Sequence, residues 1–179
     1  MNLPNKITIF RIFMIPLFLV FMLIPGIAYG QYIAAGIFLI AALSDLLDGY
    51  IARKHNLITN FGKFMDPLAD KLLVSSALIC FVELKLLPAW IVIIIIAREF
   101  IISGFRLIAS DKGIVIAADF WGKLKTTVQM VLCIMLIINF DNTFINILEK
   151  ITVYLTVALT VISLVDCMVK NKSVLKDKQ

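Results

Sequence analysis

Four aspartates, Asp45, Asp48, Asp66 and Asp70, are the residues of this sequence whose type and spacing are most demanding chemically. Positions three or four apart on a helix share a face, so Asp45 with Asp48 forms one pair and Asp66 with Asp70 a second. The segment between the pairs is short, which makes the two helices antiparallel neighbours with both pairs at one depth. Four facing carboxylates repel unless they are protonated or bridged by cations. Hard oxygen donors suit Mg²⁺ or Mn²⁺, and such ions often bind through a few carboxylates together with substrate phosphates. The expected chemistry is therefore phosphoryl transfer at a metal-bearing acidic site. Two other readings of the four residues stay open: membrane-end charges paired with Arg53, Lys63 and Lys71, or a proton or cation path.

The elements that position these carboxylates are membrane helices. Of 179 residues, 61% are hydrophobic, and the mean hydropathy is +1.01. Soluble domains average about 45–50% apolar residues, so lipid is the expected solvent. Six apolar segments stand out, at 8–28, 32–53, 66–87, 88–109, 121–139 and 143–169. At about 1.5 Å per residue each spans or nearly spans a hydrocarbon core of about 30 Å, and backbone groups in lipid demand helices. The fold class expected is all-α, an integral membrane bundle of six transmembrane helices around a polar, cytoplasm-facing cavity. One domain over 1–169 and a polar tail over 170–179 follow. In such a setting the four aspartates need a reason, because each costs at least about 2.5 kcal/mol at a helix centre on insertion scales.

Charge orients the bundle. The N-terminus, the connections near 54–63 and 106–125, and the tail share one side and contain most of the lysines and arginines, from Lys6 and Arg11 to Lys176 and Lys178. The opposite side has only Lys85 and Lys150. Basic loops stay inside, so both termini and the aspartates face the cytoplasm across the cell membrane. The apolar run after Lys6 and Arg11 superficially resembles a signal peptide, but further apolar segments follow and its polar residues have a use in the site. Cys80, Cys133 and Cys167 are too widely spaced for a metal or disulfide framework and read as small core residues. His55 alone makes no histidine metal site.

With these residues set out, the stretch Asp45-Leu46-Leu47-Asp48-Gly49-Tyr50-Ile51-Ala52-Arg53, then eight residues, Gly62, three residues, Asp66, three residues and Asp70, resembles the signature of the CDP-alcohol phosphatidyltransferase family. The opening Pro4-Asn5-Lys6-Ile7-Thr8-Ile9-Phe10-Arg11 resembles that family's N-terminal segment. The resemblance implies metal binding by Asp45, Asp48 and Asp66, with Asp70 completing the cluster and serving as general base. It implies that Gly49, Ala52 and Arg53, with Gly62, line the CDP site, where Asn5, Thr8 and Arg11 are further polar candidates. An interfacial helix with ordinary cytoplasmic charges is the competing reading of those last three. CDP-diacylglycerol as donor, membrane lipids as surroundings, a homodimer and no nucleic acid are the partners it implies.

The acceptor is read from the second half. Glu99, Ser103 and Arg106 share a helix face beside Arg98, and Lys125 and Gln129 share another near Lys123. Guanidinium forks and ammonium charges both suit a phosphate, so Arg98, Arg106, Lys123 and Lys125 are the expected acceptor-phosphate residues. For Lys123 and Lys125 the alternative is topology alone, and for Arg98 it is a structural pair with Glu99. Arg98-Glu99, Gly104-Phe105-Arg106 and Gly122-Lys123-Leu124-Lys125-Thr126-Thr127-Val128-Gln129 resemble the branch of the family that uses glycerol 3-phosphate. Phosphatidylglycerol, as in cardiolipin synthesis, or inositol phosphate would also want positive charge. A small ion-coupled transporter built on the same acidic site is the reading from another class.

Overall fold

The computed structural model describes the backbone of residues 3–54, 60–114, 116, 119–140 and 142–172, and the side chains of these apart from 3–5, 45–54, 60–64, 66 and 67. It is all-helical among the described residues: α1 Leu3–Leu23, α2 Gly30–Lys54, α3 Asn60–Glu83, α4 Ala89–Asp111, α5 Phe120–Ile138 and α6 Thr143–Lys170. Each apolar segment of the sequence coincides with one helix, but α1 and α3 begin five and six residues before their apolar runs. Hydropathy marks the lipid-embedded part of a helix, and backbone hydrogen bonding carries the helix further into polar surroundings. Asn5 and Gly62 thereby become helical.

Among the described residues, three helices are long and apolar enough to cross a membrane on their own, at Lys6–Leu23, Phe120–Ile138 and Thr143–Lys170, with a shorter apolar stretch over Gly30–Ser44. The remaining helices hold their charges within the helix: Asp45 and Asp48 in α2, Asp66 and Asp70 in α3, and Arg98, Glu99 and Arg106 in α4. Large apolar side chains line the outside, among them Phe13, Ile93, Leu107, Phe144 and Tyr154, all exposed. In water such a surface would be a large apolar patch. Facing lipid, it is the expected exterior of a membrane protein.

The helix ends follow local rules. α4 stops at Gly113, whose φ of 72° suits glycine; Ile114 N–H donates to Ala109 O at 2.8 Å and Gly113 N–H to Ser110 O at 3.0 Å. This is the Schellman pattern. α3 ends the same way, with Leu86 N–H on Phe81 O at 2.8 Å and Lys85 N–H on Val82 O at 3.0 Å, but its left-handed residue is Lys85, at φ 59°. A residue with a Cβ is strained there. α6 begins at Asn142, whose side chain accepts from Phe144 N–H at 2.9 Å and satisfies one of the helix's free donors.

The described residues form two compact units. The first comprises Met1–Leu87 with Cys133–Asn139, and the second Pro88–Leu132 with Phe140–Gln179. In the first, α1 packs on both α2 and α3, and α2 meets α3. Phe18, Phe38, Leu73 and Phe81 fill its interior. Gly30 permits close approach there, since a Cβ at this position would sit 2.8 Å from the carbonyl oxygen of Phe21. In the second unit α4 packs on α6. Their contact contains Ile102, Phe105, Ala109 and Cys167, and the buried face of α6 continues through Thr152, Thr156, Thr160 and Ser163. The three threonine hydroxyls donate to backbone carbonyls four residues back, at 2.6–2.7 Å. Small hydroxyl residues of this kind let membrane helices approach closely without unsatisfied donors.

Candidate active site

In the first unit, the polar candidates lie on three helices packed against one another. Asp45, Asp48, Gly49, Ala52 and Arg53 occupy the last three turns of α2, and Gly62, Asp66 and Asp70 the first three turns of α3. Residues 55–59 join those two helix ends. Within each pair the two aspartates are about one turn apart, and the pairs lie on consecutive helices that touch. The side chains of Asp45, Asp48, Gly49, Ala52, Arg53, Gly62 and Asp66 lie outside the described residues, as does that of Asn5. Asp70 is half-buried. Thr8 and Arg11 are fully buried, one turn apart on α1.

Burying a cation such as Arg11 is costly without compensating charge, and the unit that encloses it also contains the four aspartates. As a donor set, carboxylates from the ends of two neighbouring helices fit a hard divalent ion, which prefers oxygen ligands and retains sites for phosphate. A soft or imidazole-preferring metal would find no matching ligands in the motif.

The second unit has a different electrostatic plan. Arg98 is buried on α4; its Nε donates to Ser163 Oγ on α6 at 3.2 Å, and Ser163 in turn donates to Thr160 O at 3.1 Å. Its Nη1 lies 3.5 Å from Glu99 Oε1. The same carboxylate oxygen receives Nζ of Lys125, which is fully buried on α5. Gln129, one turn along from Lys125, is buried too. Glu99 thus joins two cations of the acceptor set, and the expected Arg98–Glu99 contact is present but shared with Lys125.

Arg98 and Arg106 line a cavity of about 250 Å³ with Asp119, Gly122, Ser163 and Lys170 among its walls. A Cβ on Gly122 would lie 3.5 Å from Arg98 Nη2, so the glycine leaves that edge of the guanidinium uncovered. Lys123 is exposed on α5, and neither it nor Lys125 lines the cavity. The structure therefore brings the two arginines of the expected set together on the cavity wall, links Lys125 to Arg98 through Glu99 without placing it on that wall, and leaves Lys123 exposed.

Asp119, Asp166 and Lys170 escaped the sequence reading. Lys170 Nζ lies 2.6 Å from Asp119 Oδ2 and 2.9 Å from Asp166 Oδ2. Asp119 Oδ1 also accepts from Phe120 N–H at 2.9 Å, at the start of α5. Hydrogen bonding with Asp166, then Lys170 and the Phe120 amide, holds the Asp119 carboxyl down at about 2. The one available signal was the Asp166–Lys170 spacing of four, which makes an ion pair along a helix.

Comparison with known proteins identifies the family. A family model described as CDP-alcohol phosphatidyltransferase matches residues 1–162. A Bacillus subtilis (strain 168) protein named CDP-diacylglycerol–glycerol-3-phosphate 3-phosphatidyltransferase is 51% identical over 141 residues, 73% of this chain and 73% of the relative. A Haemophilus influenzae protein of the same name is 39% identical over 181 residues, covering 98% of this chain and 96% of the relative. Another, from Rickettsia typhi, is 35% identical over 165 residues, covering 90% and 92%. With the aspartate motif on adjoining ends of α2 and α3 and a family match over nearly the whole length, this chain belongs to the CDP-alcohol phosphatidyltransferase family.

Proposed function

We propose that this membrane enzyme transfers the phosphatidyl group of CDP-diacylglycerol to glycerol 3-phosphate, releasing CMP and forming phosphatidylglycerophosphate. The observation that carries the reading is the placement of Asp45, Asp48, Asp66 and Asp70 on touching, consecutive helices. The names of the relatives support glycerol 3-phosphate as acceptor, and so does a cavity bearing two arginines.

In this reading Asp45, Asp48, Asp66 and Asp70 would hold Mg²⁺ or Mn²⁺, which would supply positive charge to offset that of the diphosphate. Gly49, Ala52 and Gly62 leave the helix surface bare for the nucleotide, and Arg53, Asn5 and Thr8 supply polar contacts to it. Asp70 takes the proton of the acceptor hydroxyl. The hydroxyl oxygen forms a bond to the phosphorus that bears diacylglycerol, the bond from that phosphorus to the CMP oxygen breaks, and CMP departs. Arg98 and Arg106 hold the acceptor's phosphate, and Lys123 and Lys125 contribute longer-range positive charge. The excess of Lys and Arg on the tail and near 54–63 and 106–125 supports a cytoplasmic face for this chemistry.

Purified protein in mixed micelles of detergent and CDP-diacylglycerol, supplied in turn with glycerol 3-phosphate, phosphatidylglycerol, inositol phosphate and serine, tests the reading through CMP release. Release dependent on glycerol 3-phosphate is expected. Release with another acceptor alone would reassign the substrate, and none with any acceptor would remove the transferase reading.

A further inference from the structure

The ion pair at the rim of the arginine cavity does not belong to the chemistry just described. Asp119 and Lys170 come from positions 51 residues apart and meet at 2.6 Å on the wall that also presents Arg98 and Arg106. The cavity wall therefore carries three cations and one carboxylate. Among the described residues Arg106 makes no ion pair and is exposed. Glu99 lies beside Arg98 and Asp166 beside Lys170, so Arg106 is the wall cation that a ligand's negative charge would meet first.

The two partners differ in their freedom. Asp119 is tied to the backbone, its Oδ1 accepting from Phe120 N–H. Lys170 has a four-carbon stem and a side chain 55% exposed, so it can swing. It also has a second carboxylate, Asp166, one turn back on its own helix at 2.9 Å. Leaving Asp119 would not strand the ammonium, and an exposed ion pair is weak enough to exchange.

Resting on the reading of this cavity as the acceptor site, we propose that Lys170 is a further ligand for the acceptor's phosphate and that Asp119 is its internal competitor. In the empty cavity Asp119 occupies Lys170. A phosphate monoester anchored by Arg98 and Arg106 takes Lys170 over, while Asp166 keeps the lysine close to the rim. Asp119 so weakens acceptor binding, and it selects for ligands with enough negative charge to displace it. An uncharged polyol cannot do so.

Steady-state kinetics on the full chain in mixed micelles test this. Lys170→Gln raises KM for glycerol 3-phosphate about tenfold, the scale of one charge-assisted contact, with a much smaller change in kcat and in KM for CDP-diacylglycerol. Lys170→Arg restores most of the loss. Asp119→Asn, which can still accept from Phe120 N–H, lowers KM for glycerol 3-phosphate by roughly threefold to tenfold, as expected when a competing carboxylate is removed. A KM unchanged in Lys170→Gln would overturn the ligand role. A KM that rises or stays constant in Asp119→Asn would make that pair a structural tie instead. If the wild-type protein itself shows no CMP release dependent on glycerol 3-phosphate, it is the assignment of the acceptor that fails.

Discussion

The two units handle charge in opposite ways. In the first, Asp45 and Asp48 lie in the last three turns of α2 and Asp66 and Asp70 in the first three turns of α3, an arrangement that we read as a site for a cation from outside the chain. In the second, buried Arg98 and Lys125 meet Glu99, exposed Lys170 meets Asp119 and Asp166, and Arg106 makes no ion pair among the described residues. Charges that repel in the absence of ligand serve chemistry and do little for the fold. Charges already paired in a buried setting are held there by the fold, and removing one partner damages it. The contrast predicts which variants lose activity with the fold intact and which lose the fold first.

The largest effect belongs to the first unit. Asp70→Asn should lower turnover by about 10²–10⁴-fold, the range of general-base catalysis, while thermal stability in detergent stays level or rises because a like charge has gone. Circular dichroism melts beside the CMP-release assay check this, and a variant that loses stability before activity would blur the distinction. Chelation should act on the same unit: EDTA stops turnover and added Mg²⁺ or Mn²⁺ restores it. Undiminished activity in excess EDTA would contradict the metal cluster.

In the second unit the order reverses. Glu99→Ala removes the carboxylate that fully buried Lys125 meets, and breaking a buried pair costs about 3–5 kcal/mol. The midpoint of unfolding should fall sharply. Replacing both members, as Glu99→Leu with Lys125→Met, should recover most of the loss, since a buried pair and a well-packed apolar pair of similar volume are often equivalent. No recovery would mean that the pair serves more than balance.

Smaller effects come from the backbone. Gly30→Ala puts a methyl against the Phe21 carbonyl and should destabilise the α1–α2 contact by about 1–3 kcal/mol. Lys85→Gly relieves a left-handed lysine and should stabilise by about 1 kcal/mol. Both are read from thermal or denaturant melts, and neither should change KM for the acceptor.

Acidity gives the finest distinction. Asp119 is held at about 2, below the ordinary 3.8. A depressed carboxyl contributes stability above its unfolded value and loses it as pH falls towards its folded value, so this pair persists from neutral pH down to about 4. A phosphate monoester, by contrast, loses its second charge near pH 6. KM for glycerol 3-phosphate should rise as pH falls from 7.5 to 5.5, and less steeply in Asp119→Asn, which has no carboxylate for the ligand to displace. An equally steep profile in both proteins would remove the selection assigned to Asp119.

How much of this was legible in sequence depends on separation along the chain. The aspartate pairs repeat at helical spacing on neighbouring segments, so their grouping follows from local geometry and one short connection. All six helices were readable from hydropathy, apart from the early starts that make Asn5 and Gly62 helical. The second unit was harder. Glu99 meets Lys125 across 26 residues and Asp119 meets Lys170 across 51, and only tertiary packing decides such partners. Lys125 read as a cation available to phosphate, but the fold buries it on Glu99. Lys170 read as the first residue of a polar tail, but it is the last residue of α6 and part of a cavity wall.

Direct detection of the metal is the sharpest test of the carboxylate site. Electron paramagnetic resonance of Mn²⁺ titrated into purified protein with CDP-diacylglycerol should show stoichiometric bound ion in the wild type. In Asp45→Asn and Asp66→Asn the bound signal and CMP release should disappear together. Wild-type Mn²⁺ binding with full turnover in both variants would contradict the account.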